Sequence, residues 1–167
     1  MTDTTRRLHL ADTSQTEALG AALAHAWRAG GAPRTVVYLH GDLGAGKSTL
    51  ARALLRALGV HGAIRSPTYT LVERYPLAEG EALHIDLYRI AGAGELEYLG
   101  LADGDARLWL VEWPERGEGA LPPADLDITL ALDGEGRSVR LASPGPVAPA
   151  WLGAADVGRL QPVSSVT

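Results

Sequence analysis

The sequence predicts an α/β fold, P-loop NTPase-like, with a central, mostly parallel sheet flanked by helices and an antiparallel hairpin near the C-terminus. Three observations predict it. Residues 35–40, Thr-Val-Val-Tyr-Leu-His, are a β-branched and apolar run, as expected of a strand buried on both faces. That run leads directly into Gly41-Asp42-Leu43-Gly44-Ala45-Gly46-Lys47-Ser48, which fits G-x-x-x-x-G-K-[ST] at every fixed position. Residues 48–58 then set Leu50, Leu54, Leu55 and Leu58 on one helical face, and Gly59 ends the helix. Strand, glycine loop and helix in that order are the context the motif requires.

The other elements follow in order. Residues 7–10 alternate apolar and polar and read as a short strand. Ser14-Gln15-Thr16-Glu17 has capping-box spacing and opens a helix rich in Ala and Leu that runs to about Arg28, stopped by Gly30-Gly31. Residues 70–75 and 82–87 are strand-like, and a short helix is expected at 95–99, ending at Gly100. Residues 108–112, Leu-Trp-Leu-Val-Glu, form a second apolar run bounded by Pro114. Residues 128–132 and 139–141 flank Asp133-Gly134-Glu135-Gly136, a hairpin signal. From Ser143 onward Pro, Ala, Gly and Val follow without clear period. The chain therefore divides into one domain, 1–142, and a Pro/Ala/Gly-rich tail, 143–167, loose or docked.

Composition removes several function classes. There is no cysteine, so disulfides and thiolate metal sites are excluded. A net charge of −5 argues against a free-standing nucleic-acid binder, because neutralising phosphates takes a basic surface. No apolar run reaches the length of a membrane span. Arg6-Arg7 lacks the apolar stretch of a signal peptide after it, so a cytoplasmic location is the expectation. His9, His25, His40 and His61 have no metal-ligand spacing.

Lys47 is the only lysine among 15 basic residues. An ammonium on a flexible stem can curl over a phosphate where arginine's planar fork cannot. Gly41, Gly44 and Gly46 let the backbone form a nest whose N–H groups face phosphate oxygens, and the following helix adds its N-terminal partial charge. Lys47 is expected on the β- and γ-phosphates, the Ser48 hydroxyl on Mg²⁺, and Thr49 near the α-phosphate. A nucleotide hydrolase of this kind also needs an acid at a neighbouring strand end. Glu112 ends the most apolar run of the second half, where a carboxylate is costly unless a cation needs it; the alternative is a strand-end surface acid. Asp86 ends a shorter strand, with His84 two residues before it on the same face. It could orient the attacking water or support the metal, or instead serve as an N-cap or a partner of Arg89. Ser66-Pro67-Thr68-Tyr69-Thr70 is either a switch-like loop that senses the γ-phosphate or an ordinary turn before a strand. Trp113 either packs in the core or contacts a partner.

Taken together, Gly-Asp-Leu-Gly-Ala-Gly-Lys-Ser at 41–48, Ser-Pro-Thr-Tyr-Thr-Leu-Val-Glu at 66–73, His-Ile-Asp-Leu-Tyr-Arg at 84–89, Glu-Leu-Glu-Tyr-Leu-Gly at 95–100 and Val-Glu-Trp-Pro-Glu at 111–115 resemble the TsaE (YjeE) family. These are P-loop ATPases of bacterial tRNA threonylcarbamoyladenosine (t6A) synthesis. The resemblance runs from about Leu8 to Leu141 and leaves out the tail. It implies ATP as the nucleotide and Mg²⁺-dependent hydrolysis. In that reading Lys47 and the 41–46 backbone hold the phosphates, Ser48 and Glu112 ligate Mg²⁺, and Asp86 supports hydrolysis. Thr68 and Thr70 fall in the switch-like segment, and nucleotide contacts fall near Asp12 and Arg137. Ser48 stands where members often carry threonine, and its hydroxyl can ligate Mg²⁺ equally well. The resemblance further implies an accessory that acts on the TsaB–TsaD pair and meets tRNA only indirectly, with Trp113 and residues 66–75 as contact points. Two rivals are a small-molecule kinase and a non-catalytic ATP-sensing module. Against the first, Arg65 and Arg74 do not make an arginine-dense lid; against the second, both Asp86 and Glu112 are present.

Overall fold

The computed structural model describes residues 4–65, 67, 69–101 and 106–144. Seven strands form one sheet: β1 (Thr4–Leu10), β2 (Thr35–His40), β3 (Val72–Leu77), β4 (Gly80–Asp86), β5 (Ala106–Glu112), β6 (Leu126–Asp133) and β7 (Gly136–Ser143). Two helices, α1 (Thr13–Ala29) and α2 (Lys47–Ala57), and two 3-10 turns, Ala93–Leu99 and Pro114–Gly117, complete it. The strand order is β1-β7-β6-β2-β5-β4-β3. The centre, β6-β2-β5-β4, is parallel, and it holds the apolar runs at 35–40 and 108–112. Antiparallel pairs close both edges: β6–β7 and β7–β1 on one side, β3–β4 on the other. Pro76 lies in edge strand β3, where its missing N–H interrupts no central ladder.

Side-chain alternation sorts the interior into two clusters. Val37 and Leu39 of β2, Leu108 and Leu110 of β5, and Leu126, Ile128 and Leu130 of β6 point toward α1 and α2. There they meet Leu19, Leu23, Trp27, Leu50, Leu54 and Leu55. Val36, Leu83, Ile85, Trp109 and Val111 point the other way and meet Leu87, Ile90, Leu96 and Leu101. Trp27 anchors the end of α1, donating from Nε1 to Pro33 O at 2.8 Å.

Several boundaries differ from the sequence reading, for local reasons. The cap of α1 is Asp12, not Ser14: the Asp12 carboxylate accepts from Gln15 N–H at 3.1 Å, and the Ser14 hydroxyl donates to that carboxylate at 2.6 Å. An ionised acceptor beside the first turn is favoured by the helix dipole. Strand β3 starts at Val72 rather than residue 70 because Leu71 is left-handed (φ 65°), which bends the chain before pairing begins. The short helix expected at 95–99 is a 3-10 turn over Ala93–Leu99, ended as expected by a left-handed Gly100. Strand β7 runs to Ser143, and the tail from residue 145 lies outside the described residues. No described helix is long and apolar enough to cross a membrane.

Candidate functional site

The parallel strands β2, β4 and β5 run the same way, so their C-terminal ends share one edge of the sheet. The glycine loop leaves β2 there, Asp86 ends β4, and Glu112 ends β5. Open α/β sheets bind ligands in the crevice at this edge. The β4–β5 register pairs Asp86 with Glu112, and the β2–β5 register pairs Leu39 with Glu112. Both acids therefore stand next to the loop on the face that α2 covers.

Two glycines make the loop possible. Gly41 has φ 140°, and a Cβ there would lie 2.4 Å from Leu130 O. Gly46 caps α2 in a left-handed conformation (φ 107°) and turns the backbone N–H groups of the first helical turn toward the crevice. Lys47 opens α2 and is only 5% exposed. Its ammonium donates to Gly41 O and, at 3.3 Å, to Asp42 O, and lies 4.0 Å from the centre of the Trp113 ring. Burial pushes the Lys47 pKa below its usual value, while the carboxylates of Glu112, Asp86, Glu115 and Asp42 oppose that shift.

Ser48, one residue on, donates its hydroxyl to Glu112 at 3.0 Å (Oε1) and 3.2 Å (Oε2). Glu112 is 2% exposed, and its Oε2 lies 2.7 Å from His84 Nε2. Asp86 is buried too. Its Oδ1 accepts from Tyr88 N–H at 3.0 Å, a local turn of the capping type. Burial raises the Asp86 pKa, Tyr88 N–H opposes the rise, and the neighbouring Glu112 charge adds to it. Arg89 does not take the role of its partner: the guanidinium stacks 5.1 Å from the Tyr69 ring.

These groups line a cleft of about 710 Å³. Of the residues singled out from sequence, Asp12, Asp42, Leu43, Gly44, Gly46, Lys47, Ser48, Thr49, Asp86, Glu112, Trp113 and Arg137 all face it. Gly41 and Ala45 do not, and both act through their backbones: Gly41 O holds Lys47, and Ala45 O holds Arg137. Asp12 sits at the cleft wall with its pKa lowered by the Ser14 hydroxyl and Gln15 N–H. Arg137 donates from Nε to Ala45 O at 3.0 Å and from Nη2 to Gly44 O at 3.2 Å. It thus ties the β6–β7 hairpin to the outer side of the loop. Trp113 is left-handed (φ 56°), half-buried, and lies 5.0 Å from the Tyr88 ring. It packs against the second cluster and also walls the cleft. Thr70 stands apart: its hydroxyl donates to Glu73 Oε1 at 2.9 Å, at the surface and away from the cleft lining. Thr68, like Ser66, lies outside the described residues.

Tyr88, Arg89, Thr13, Thr16, Glu135 and Gly136 also line the cleft and were not among the expected residues. The contact of His84 with Glu112 was missed as well. The period-2 spacing of His84 to Asp86 gave the face, but the contact depends on the β4–β5 register.

Among the described residues no three His, Cys, Asp or Glu side chains converge as a metal site. Mg²⁺ needs no such cluster, since it is held by one or two protein oxygens plus phosphates and waters. The adjacent Ser48 hydroxyl and Glu112 carboxylate could supply such oxygens, and a buried carboxylate is the kind of group a cation compensates.

A family model described as "Threonylcarbamoyl adenosine biosynthesis protein TsaE" matches residues 10–139. The tRNA threonylcarbamoyladenosine biosynthesis protein TsaE of Haemophilus influenzae is 45% identical over 108 residues, 64% of this chain and 68% of that protein. The protein of the same name from Aquifex aeolicus is 41% identical over 109 residues, 64% of this chain and 75% of its own length. That of Synechocystis sp. is 38% identical over 122 residues, 70% of this chain and 74% of its own. Among solved structures, Bacillus subtilus YdiB superposes with a TM-score of 0.71 over 93% of this chain and 96% of that one. At 23% identity that likeness is one of fold.

Proposed function

The chain belongs to the TsaE family, and from that premise we propose that it is a cytoplasmic Mg²⁺-dependent ATPase of tRNA threonylcarbamoyladenosine (t6A) biosynthesis, acting on a TsaB–TsaD complex and not on tRNA directly. The observation that carries this reading is the meeting of Lys47, Ser48 and Glu112 at the start of α2, with Asp86 on the neighbouring strand.

The chemistry follows from where each group sits. Backbone N–H groups of the loop and the first turn of α2 bind phosphate oxygens, with the helix dipole adding to the attraction. Lys47, now donating to two loop carbonyls, transfers its hydrogen bonds to the phosphates. Ser48 and Glu112 are the residues that would hold Mg²⁺, which when bound neutralises charge developing on the phosphates. Asp86 holds a proton more readily than an exposed carboxylate, a property that suits the group that orients and deprotonates the attacking water. The net charge of −5 favours a protein partner over direct capture of RNA.

The test is ATP hydrolysis with and without the TsaB–TsaD pair. Mg²⁺-dependent release of ADP and phosphate, stimulated by the pair, is expected. Lys47→Ala should weaken ATP binding about 100-fold, two factors of ten at about 1.4 kcal/mol each, and undiminished binding would refute the phosphate assignment. Glu112→Ala should impair turnover more than binding; unchanged turnover would move its role to Asp86. A phosphorylated small-molecule acceptor in place of free phosphate would make the protein a kinase.

A further inference from the structure

Glu112 has a second neighbour that the phosphate reading leaves unused. His84 is fully buried in β4, two residues before Asp86. The β4–β5 register places it opposite Leu110, so that Glu112 is its diagonal neighbour on the same face of the sheet. The His84 Nε2 to Glu112 Oε2 distance is 2.7 Å. We assign the proton between them to Nε2, because a carboxylate oxygen accepts hydrogen bonds and a ring N–H donates them. The other ring nitrogen, Nδ1, is buried and has no hydrogen-bond partner among the described residues. The imidazole therefore spends its one buried contact on Glu112. A leucine would fill such a site without leaving a polar atom unpaired, so packing alone does not account for a histidine there.

We propose that His84 is the positioning residue of Glu112: by holding Oε2 it fixes the carboxylate plane and keeps Oε1 turned toward Ser48 and the cation the pair would bind. Without the imidazole, Glu112 keeps only the hydroxyl of Ser48, and Ser48 bonds both oxygens at similar lengths, 3.0 and 3.2 Å. That contact limits distance but not rotation of the carboxylate. The N–H at Nε2 removes the remaining freedom, as outer-shell partners of metal-ligating groups do. This inference rests on the reading of Ser48 and Glu112 as the Mg²⁺-holding pair.

The experiment is isothermal titration of the full chain with adenylyl imidodiphosphate, a non-hydrolysable ATP analogue, in Mg²⁺ and in EDTA. The quantity read is the strengthening of binding by Mg²⁺. His84→Leu should lose about tenfold or more of that strengthening while its affinity in EDTA stays within about twofold of the wild type. His84→Gln carries an N–H at the reach of Nε2 and should restore most of it. His84→Asn, whose amide stops at the level of Nδ1, should behave like His84→Leu. Full Mg²⁺ strengthening in His84→Leu, or equal strengthening in the Gln and Asn variants, would overturn the proposal. If His84→Leu does not fold, the Gln–Asn pair decides alone, since both keep a polar amide. Ser48→Ala separates the two levels. If it too keeps the full Mg²⁺ effect, the Mg²⁺ reading itself falls and takes this proposal with it; if Ser48→Ala loses the effect and His84→Leu does not, only the role of His84 falls.

Discussion

The two faces of the sheet are sealed in different ways. On one, α1 and α2 lie against each other and against β2, β5, β6 and β7, burying a continuous layer of Leu, Ile, Val and Trp27. On the other, among the described residues, the turns Ala93–Leu99 and Pro114–Gly117 and their flanking loops pack against β2, β4 and β5, with Val72 of β3 beside them. Over β6, among the described residues, that second face shows Asp127 and Thr129, half-buried, and Ala131, exposed. Lys47, Ser48, His84, Asp86 and Glu112 all belong to the helix-covered face. The groups proposed to carry the chemistry are thus held by the more continuous of the two packings, as precise sites require. The thinner face can yield locally at lower cost.

Truncating one leucine on each side gives the largest contrast. Leu54 of α2 is 1% exposed and enclosed by both helices and the sheet. Leu54→Ala should cost about 3–5 kcal/mol, because that packing cannot close over the cavity. Leu96 is 4% exposed but sits in a short 3-10 segment flanked by loops. Leu96→Ala should cost about 2 kcal/mol or less, at the low end for such a change, because the turn can settle inward. Urea unfolding of both variants measures the difference. Equal losses would mean that the two faces are equally stiff.

Adding a methyl group probes the same contrast from the opposite direction. A Cβ at Gly20 would lie 2.7 Å from Ala53 Cβ, 2.9 Å from Leu54 N and 3.0 Å from Leu50 O. Most of that obstruction is backbone, so Gly20→Ala must push α1 away from α2, at about 1–3 kcal/mol. The three atoms nearest to a Cβ at Gly117 are the side-chain ends of Leu87, Leu96 and Leu121, the closest at 2.7 Å. Those methyl groups can rotate away, so Gly117→Ala should cost about 1 kcal/mol or less. A larger loss of melting temperature in Gly117→Ala than in Gly20→Ala would reverse the ranking of the faces.

What could be read from the sequence divides along the same physical line. Strand β2, the glycine loop and α2 are local patterns, and the structure reproduces β2 to the residue. The acids at 86 and 112 were legible because a carboxylate closing an apolar run is costly and so conspicuous. The start of α1 was misplaced by two residues because Asp12 and Ser14 are both good caps, and an ionised side chain wins beside the helix dipole. Strand β3 was drawn too early because nothing in Thr70-Leu71 announces a leucine at φ 65°. The bond from His84 to Glu112 joins residues 28 positions apart, and those from Arg137 to Ala45 and Gly44 join residues 92 and 93 apart. They exist only through strand register, which no local pattern carries.

The smallest expected effect asks what the helix-covered face gives up at the site. Asp86 is buried beside Glu112; burial raises its pKa and outweighs Tyr88 N–H, His84 and Lys47, which favour its charge. A carboxyl with a raised pKa binds its proton more readily folded than unfolded. Stability therefore falls as pH climbs from the ordinary carboxylate value through the raised one, and the penalty is complete above both. Asp86→Asn removes the charge and keeps an oxygen for Tyr88 N–H. Near neutral pH the ligand-free variant should melt above the wild type, by a few degrees at most. The gap should narrow as pH falls through the raised pKa and close below the ordinary value, where the wild type is itself protonated. Circular-dichroism melts across that range test the sign: an equal or lower melting temperature at neutral pH, or a gap indifferent to pH, would show that Asp86 carries no such strain. The same variant should hydrolyse ATP more slowly, so that stability gained and turnover lost come from one carboxylate.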